Sequence, residues 1–379
     1  MRGSPYVVWS LLWLFASAAR ADDAVRYRPG PVGATVAGPA APAAAPCSPP
    51  SAWVAGPPAA CDPCDEPRRG PVEVRDQYLL AHARLTLPAV SPDTLGCGVD
   101  AWRFAFAWGN TFGWRQDVPG EAPAVRDLLA DGETRTFDVT WTHGVTADLD
   151  LGVRVPLQWR GGGVLDDLID TFHEVTSFIT LDNDRPDFDT DRFRIQGTLD
   201  DGSTFSADDR KGLALGNVEG IAKWRFVDGG RDATSWAVVA RATAPTGGEP
   251  FDTGGVEAGA QVVGARRVGR AIDAFWGAGG TWWSEESYDG MRYEPWRGHV
   301  FGALEWRPSH GWSLIVETDY ATSLLSDVAR WKGFHWYLNV GAKVDVGPGA
   351  TLELGFTENL VDQQATADVV GYFGLELRR

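Results

Sequence analysis

Residues 137–159 read FDVTWTHGVTADLDLGVRVPLQW, and this stretch limits the fold more than any other. Phe137, Val139 and Trp141 alternate with Asp138 and Thr140. After a short turn, Leu149, Leu151, Val153, Val155, Leu157 and Trp159 alternate with Asp150, Arg154 and Gln158. A period of two puts one class of side chain on each face of a strand. One face here is apolar and the other carries charges of both signs. A soluble sandwich or a membrane barrel satisfies that pattern, the barrel by turning its apolar face to lipid and its charges to the lumen.

The connections between strands separate the two. Alternation recurs at about 99–110, 134–143, 147–160, 218–226, 236–244, 256–262, 272–282, 300–306, 312–320, 336–346, 352–356 and 369–377, twelve expected strands. Odd-to-even connections are long, the longest being 161–216, and even-to-odd ones are short. Strict alternation of long and short is the mark of an antiparallel up-and-down transmembrane barrel, with turns on one side and loops on the other. An even strand count returns both chain ends to the turn side. An inner segment of ten residues is roughly 33 Å long at about 3.3 Å per residue, enough to cross the bilayer core when tilted. No apolar run near eighteen residues interrupts the chain, so no spanning helix is expected.

The N-terminus fits export. Arg2 precedes the apolar run Val7–Ala19, and Ala19-Arg20-Ala21 has small residues where a leader is cut. Residues 1–21 are expected to be a signal peptide cleaved after Ala21, leading to the bacterial outer membrane of a Gram-negative cell. No Leu-x-x-Cys pattern marks lipid attachment there. Residues 22–75 are Pro- and Ala-rich and poor in aliphatic side chains, as in an extended linker. Cys47, Cys61 and Cys64 lie in it, and Cys97 follows in a pre-barrel segment, 76–98. Cys61 and Cys64 are a candidate disulfide in an oxidising compartment, although four cysteines allow three pairings. The barrel itself takes 99–379.

The formal net charge of −17 argues against nucleic acid as a partner. It suits acidic outer loops beside lipid and lipopolysaccharide, with divalent cations as bridging partners. Eighteen Trp fit the two water–lipid boundaries of a barrel. In loop 161–216, Leu165, Leu168, Ile169, Phe172 and Val175 recur at helical spacing beside His173. A short amphipathic helix is expected there. Asp182, Asp184, Asp187, Asp189 and Asp191 crowd the same loop without the Gly and Glu of a calcium loop, so no metal site is assigned.

Several ordered pieces resemble a family of bacterial outer-membrane barrels, the domain of unknown function 3187. They include Arg75-Asp76-Gln77-Tyr78, Trp108-Gly109-Asn110-Thr111-Phe112, Gly162-Gly163-Val164-Leu165-Asp166, Leu215-Gly216-Asn217-Val218, Ala244-Pro245-Thr246-Gly247 and Phe356-Thr357-Glu358-Asn359-Leu360. The resemblance spans about 75–379 and departs at Val164, where the family has an aromatic residue. It implies fold and location and supplies no reaction, cofactor or catalytic residue.

Charges on the inward face are Asp138, Asp150, Arg154, Glu219, Lys223, Arg241, Glu305, Arg307, Glu317 and Lys343, with Glu317 expected beside Arg307 and Lys343. They suit either a narrow pore or a salt-bridged, filled lumen, because twelve strands fall between filled eight-stranded and open sixteen-stranded barrels. The expected function is a channel or uptake protein for a small solute. A structural or assembly role is the alternative. A lipid-modifying enzyme is a third reading, in which His299 and His335, at the outer ends of strands, are the candidate lipid-side histidines.

Overall fold

The structure is a computed structural model and describes residues 68–115, 128–165, 191–230, 233–328, 333–360 and 366–379. The strands are β1 (Asp100–Arg115), β2 (Leu128–Gly144), β3 (Leu149–Gly161), β4 (Arg194–Thr198), β5 (Thr204–Ser206), β6 (Gly212–Leu215), β7 (Glu219–Val227), β8 (Ser235–Thr243) and β9 (Glu257–Arg267). There follow β10 (Ile272–Trp283), β11 (Ser287–Tyr288), β12 (Met291–Arg292), β13 (Trp296–Ser309), β14 (Trp312–Ala321), β15 (His335–Gly347), β16 (Ala350–Asn359) and β17 (Val369–Arg378). Twelve of them form an antiparallel barrel, closed where β1 pairs β17 from Ala101↔Arg378 to Asn110↔Val369. All-β architecture, up-and-down order and strand number match the sequence reading. No described helix is long and apolar enough to cross a membrane.

Strand β3 shows why the barrel forms. Leu151, Val153, Val155 and Leu157 are exposed, while Asp150, Arg154 and Gln158 are buried in the interior. An exposed apolar band of this kind is stable only against lipid. Trp rings rim both ends. Trp102 lies opposite Trp141 near the turns, and Trp282 lies opposite Trp296 near the loops. Val153→Arg on this band is expected to cost about 2–4 kcal/mol, whereas Val346→Arg at a turn tip should cost at most about 1 kcal/mol. The temperature at which the folded gel band is lost measures both.

The short connections close tightly. Pro348-Gly349 joins β15 to β16 with Gly349 at φ 69°, a left-handed position that glycine fills without strain. Pro156 sits where β3 changes partner, from β7 below Glu219 to β6 above Leu215. Its missing N–H therefore falls at a break in the ladder.

The long loop contains elements that periodicity did not reveal. β4 extends the barrel wall beyond β2, β5 pairs β4, and β6 pairs β3. Of the expected loop helix only Leu165 is described; it is buried and its N–H donates to Glu133. Leu168, Ile169, Phe172 and His173 lie outside the described residues, as do Asp182, Asp184, Asp187 and Asp189. So do the leader, Ala21, Cys47, Cys61 and Cys64. Cys97 is disulfide-bonded.

Candidate functional site

The barrel lumen is occupied by the chain's own residues 68–95. Composition places residues 68–75 in the linker and 76–98 in a separate pre-barrel segment, yet they form one continuous hairpin inside the wall. Arg68 starts near the turn end, where it bonds Asp93 and Ser235. The chain climbs to an apex at Tyr78–Leu85, level with the loop ends of the strands, and descends to Leu95, whose N–H meets Asp150. Val72, Leu79, Leu80, Ala81, Leu85, Leu87 and Val90 are all buried.

An irregular segment has no ladder to satisfy its amides, and a buried unpaired amide is costly. The wall charges take that role. Glu305 accepts from the N–H groups of Arg69 and Gly70, Glu317 from Val72, Glu353 from Glu73, and Glu257 from Leu85. Lys343 donates to the carbonyls of Arg69 and Pro71, Lys223 to that of Asp93, and Arg103 to that of Glu73. Gln158 and Gln261 donate to the carbonyls of His82 and Pro88.

Side-chain pairs complete the seat. Glu219 is fully buried and receives Arg75 of the hairpin at 2.6 Å, with Arg241 at 2.7 Å and Arg154 at 3.5 Å from the wall. Arg154 also pairs Asp138 at 2.6 Å. Near the apex, Asp76 accepts from Arg297 at 2.9 Å and from the hydroxyl of Tyr337 at 3.0 Å, and His335 Nδ1 lies 2.9 Å away. Burial opposes ionisation of Asp76, but His335 and Arg297 outweigh it and hold the carboxyl well below the usual range. Small cavities of about 20 and 40 Å³ lie beside the hairpin, each the size of one or a few waters.

All ten inward candidates from the sequence are in the interior, but their pairings differ from those expected. Glu317 lies opposite Ala303 and Asn339, away from Arg307 and Lys343. Arg307 pairs Asp273, and Lys343 approaches Glu353 at 3.6 Å. His299 and His335 point inward, onto Asp319 at 3.1 Å and onto Asp76, so neither faces lipid. The hairpin itself escaped sequence reading. Its signal was the set of small inward residues Ala105, Ala107 and Gly109, where a Cβ on Gly109 would meet Gln77 at 2.7 Å.

The apex carries a titratable group. His82 is buried, with Nε2 2.6 Å from the Thr136 hydroxyl. Burial, then Arg160 and Arg154, push its imidazole down to about 3. In the unseated chain it titrates near 6.5. Between these values the unseated segment takes up a proton that the seated one does not, so seating weakens as pH falls from about 6.5 toward about 3. The effect is about 1.4 kcal/mol per pH unit. Amide exchange at Ala81–Leu85 is therefore expected to be faster at pH 5 than its intrinsic rate accounts for, and His82→Gln should remove that excess.

Fold and site together define a transmembrane β-barrel closed from within by its own N-terminal hairpin. The chain belongs to the family described as "Protein of unknown function (DUF3187)", whose profile matches residues 59–378. The match begins upstream of the motifs that carry the resemblance, and so includes Cys61 and Cys64 as well as the whole hairpin. No curated protein matches the chain. Among solved structures it is similar to the COG4313 outer membrane channel from Pseudomonas putida F1, at 10% identity and TM-score 0.52, covering 78% of this chain and 100% of that one. It is less similar to the KdgM porin (7%, TM-score 0.37, 74% and 98% covered). The same holds for the Pseudomonas putida toluene transporter TodX (9%, 0.36, 74% and 88%). At these identities the likeness is one of fold.

Proposed function

We propose that this protein is an outer-membrane channel or uptake protein for a small solute, shut at rest by residues 68–95. The turns would then face the periplasm and the loops the exterior, with lipid and lipopolysaccharide around the band and divalent cations at the acidic loops. The observation that carries the reading is how the lumen is filled. The hairpin pairs with no strand, both its legs leave by the turn end, and side-chain hydrogen bonds hold it to a wall of hydratable charges. Apolar packing of Val72, Leu79, Leu80 and Val90 also holds the segment, but the wall it would leave carries charges that water solvates once the hairpin withdraws. The likeness to an outer membrane channel supports the same reading.

A filled lumen also suits a purely structural barrel. Solute-driven swelling of proteoliposomes separates the two. A channel admits small solutes under some condition of pH, voltage or ligand. A barrel that admits none under any of these, with or without its hairpin, is structural. The enzyme reading loses its support, because both candidate histidines are committed to interior carboxylates.

A further inference from the structure

At the apex of the hairpin, the guanidinium of Arg84 sits in a box of aromatic rings. Its central carbon lies 4.5 Å from the ring centre of Tyr293, 5.3 Å from that of Tyr288 and 5.5 Å from that of Trp283. Glu257 closes the box, 3.1 Å from one terminal nitrogen. All four box residues are buried and belong to the wall or to the loop between β10 and β13. The hairpin contributes the cation and three backbone contacts around it: the carbonyls of Leu85 and Leu80 accept from the Trp283 indole and the Tyr293 hydroxyl, and the Leu85 N–H donates to Glu257. Nε and the second terminal nitrogen of Arg84 are buried without hydrogen-bond partners, so ring faces and one carboxylate hold the charge. Arg84 is the single fixed charge in the apex Tyr78–Leu85.

Three aromatic faces and a carboxylate form a general receptor for an organic cation. Ring quadrupoles attract cations within about 6 Å, most strongly where water is excluded. When the apex withdraws, the box stays with the wall at the loop end of the lumen. We propose that it is a solute site for organic cations of the guanidinium class, and that Arg84 is a built-in surrogate ligand with which such a solute competes. This deepens the channel reading, since a solute that takes the box both binds and loosens the closing hairpin.

Full-length Arg84→Ala protein tests the site by chemical rescue. Low-millimolar guanidinium chloride should change its tryptophan fluorescence saturably, with affinity at least about tenfold above that for urea, the neutral analogue of the same shape. Wild-type protein, in which Arg84 competes for the box, should respond only at concentrations at least about tenfold higher, and the Arg84→Ala/Glu257→Gln variant should show no saturable change. Equal responses to guanidinium and urea, or none from a variant with a normal heat-modifiable band, would overturn the proposal. If Arg84→Ala does not fold, the intact protein decides: methylguanidinium should increase channel openings severalfold over N-methylurea, and equal effects of the two would overturn it. Binding without any solute flux would leave the box standing and refute the channel, while flux without cation binding would do the reverse.

Discussion

Removing residues 68–95 while keeping the rest of the chain is expected to raise solute uptake into proteoliposomes by at least about tenfold. Twelve strands enclose more space than inward side chains alone can fill. Here Ala105, Ala107, Ala237, Ala265 and Ala303 face inward and are buried. Gly109 and Gly341 face inward too, and a Cβ at Gly341 would strike Val72 at 2.6 Å. The wall is built small where the hairpin passes, so deletion leaves a void. Glu305, Glu317, Glu353 and Lys343 would then meet water, which solvates them at little cost. The barrel should therefore persist, keep its heat-modifiable gel band and conduct. Uptake equal to that of the intact protein would mean that loops, rather than the hairpin, close the lumen.

The second large effect is expected at Glu219. Its carboxylate is surrounded by Arg75, Arg154 and Arg241, and only Arg154 has another acidic partner, Asp138, among the contacts that place this group. Removing one member of a buried charge cluster leaves the others uncompensated, at a cost of about 3–5 kcal/mol. Glu219→Gln should release Arg75, the hairpin's own link to the cluster. The expected result is a markedly lower temperature for loss of the folded band, together with partial opening. Glu219→Asp should recover much of the loss. Unchanged stability in Glu219→Gln would show that the four groups do not act together.

Much of this fold was legible because two periodicities agree. Alternation in 149–159 assigns Val153 to lipid and Arg154 to the interior, and alternating connection lengths set topology without any long-range information. Pairing was less legible. Period two fixes which face Glu317 occupies, but its neighbours depend on register, and register set it opposite Ala303 and Asn339. The hairpin was the least legible part. Residues 68–95 have no periodicity, since each residue answers to a different point on the wall. The inward charges were visible, and a pore or a plug explained them equally well. What separates the two is the spacing of Glu257, Glu305, Glu317 and Glu353 on four different strands, each aimed at a backbone N–H of the hairpin. That match exists only in three dimensions. The same holds for the box around Arg84, which joins residues of β9, of β10 and of the connection between β10 and β13 to one arginine far earlier in the chain.

Amide hydrogen exchange of the intact protein in lipid bilayers tests the central claim most directly. The N–H groups of Val72, Leu79 and Leu85 lie in no strand, yet they donate to Glu317, Thr111 and Glu257 inside the barrel. They are expected to exchange as slowly as strand amides such as those of β14, at least about a thousandfold below free-chain rates, consistent with the high opening energies of buried hydrogen-bonded amides. Exchange of these three at free-chain rates, with the strand amides still protected, would contradict the account.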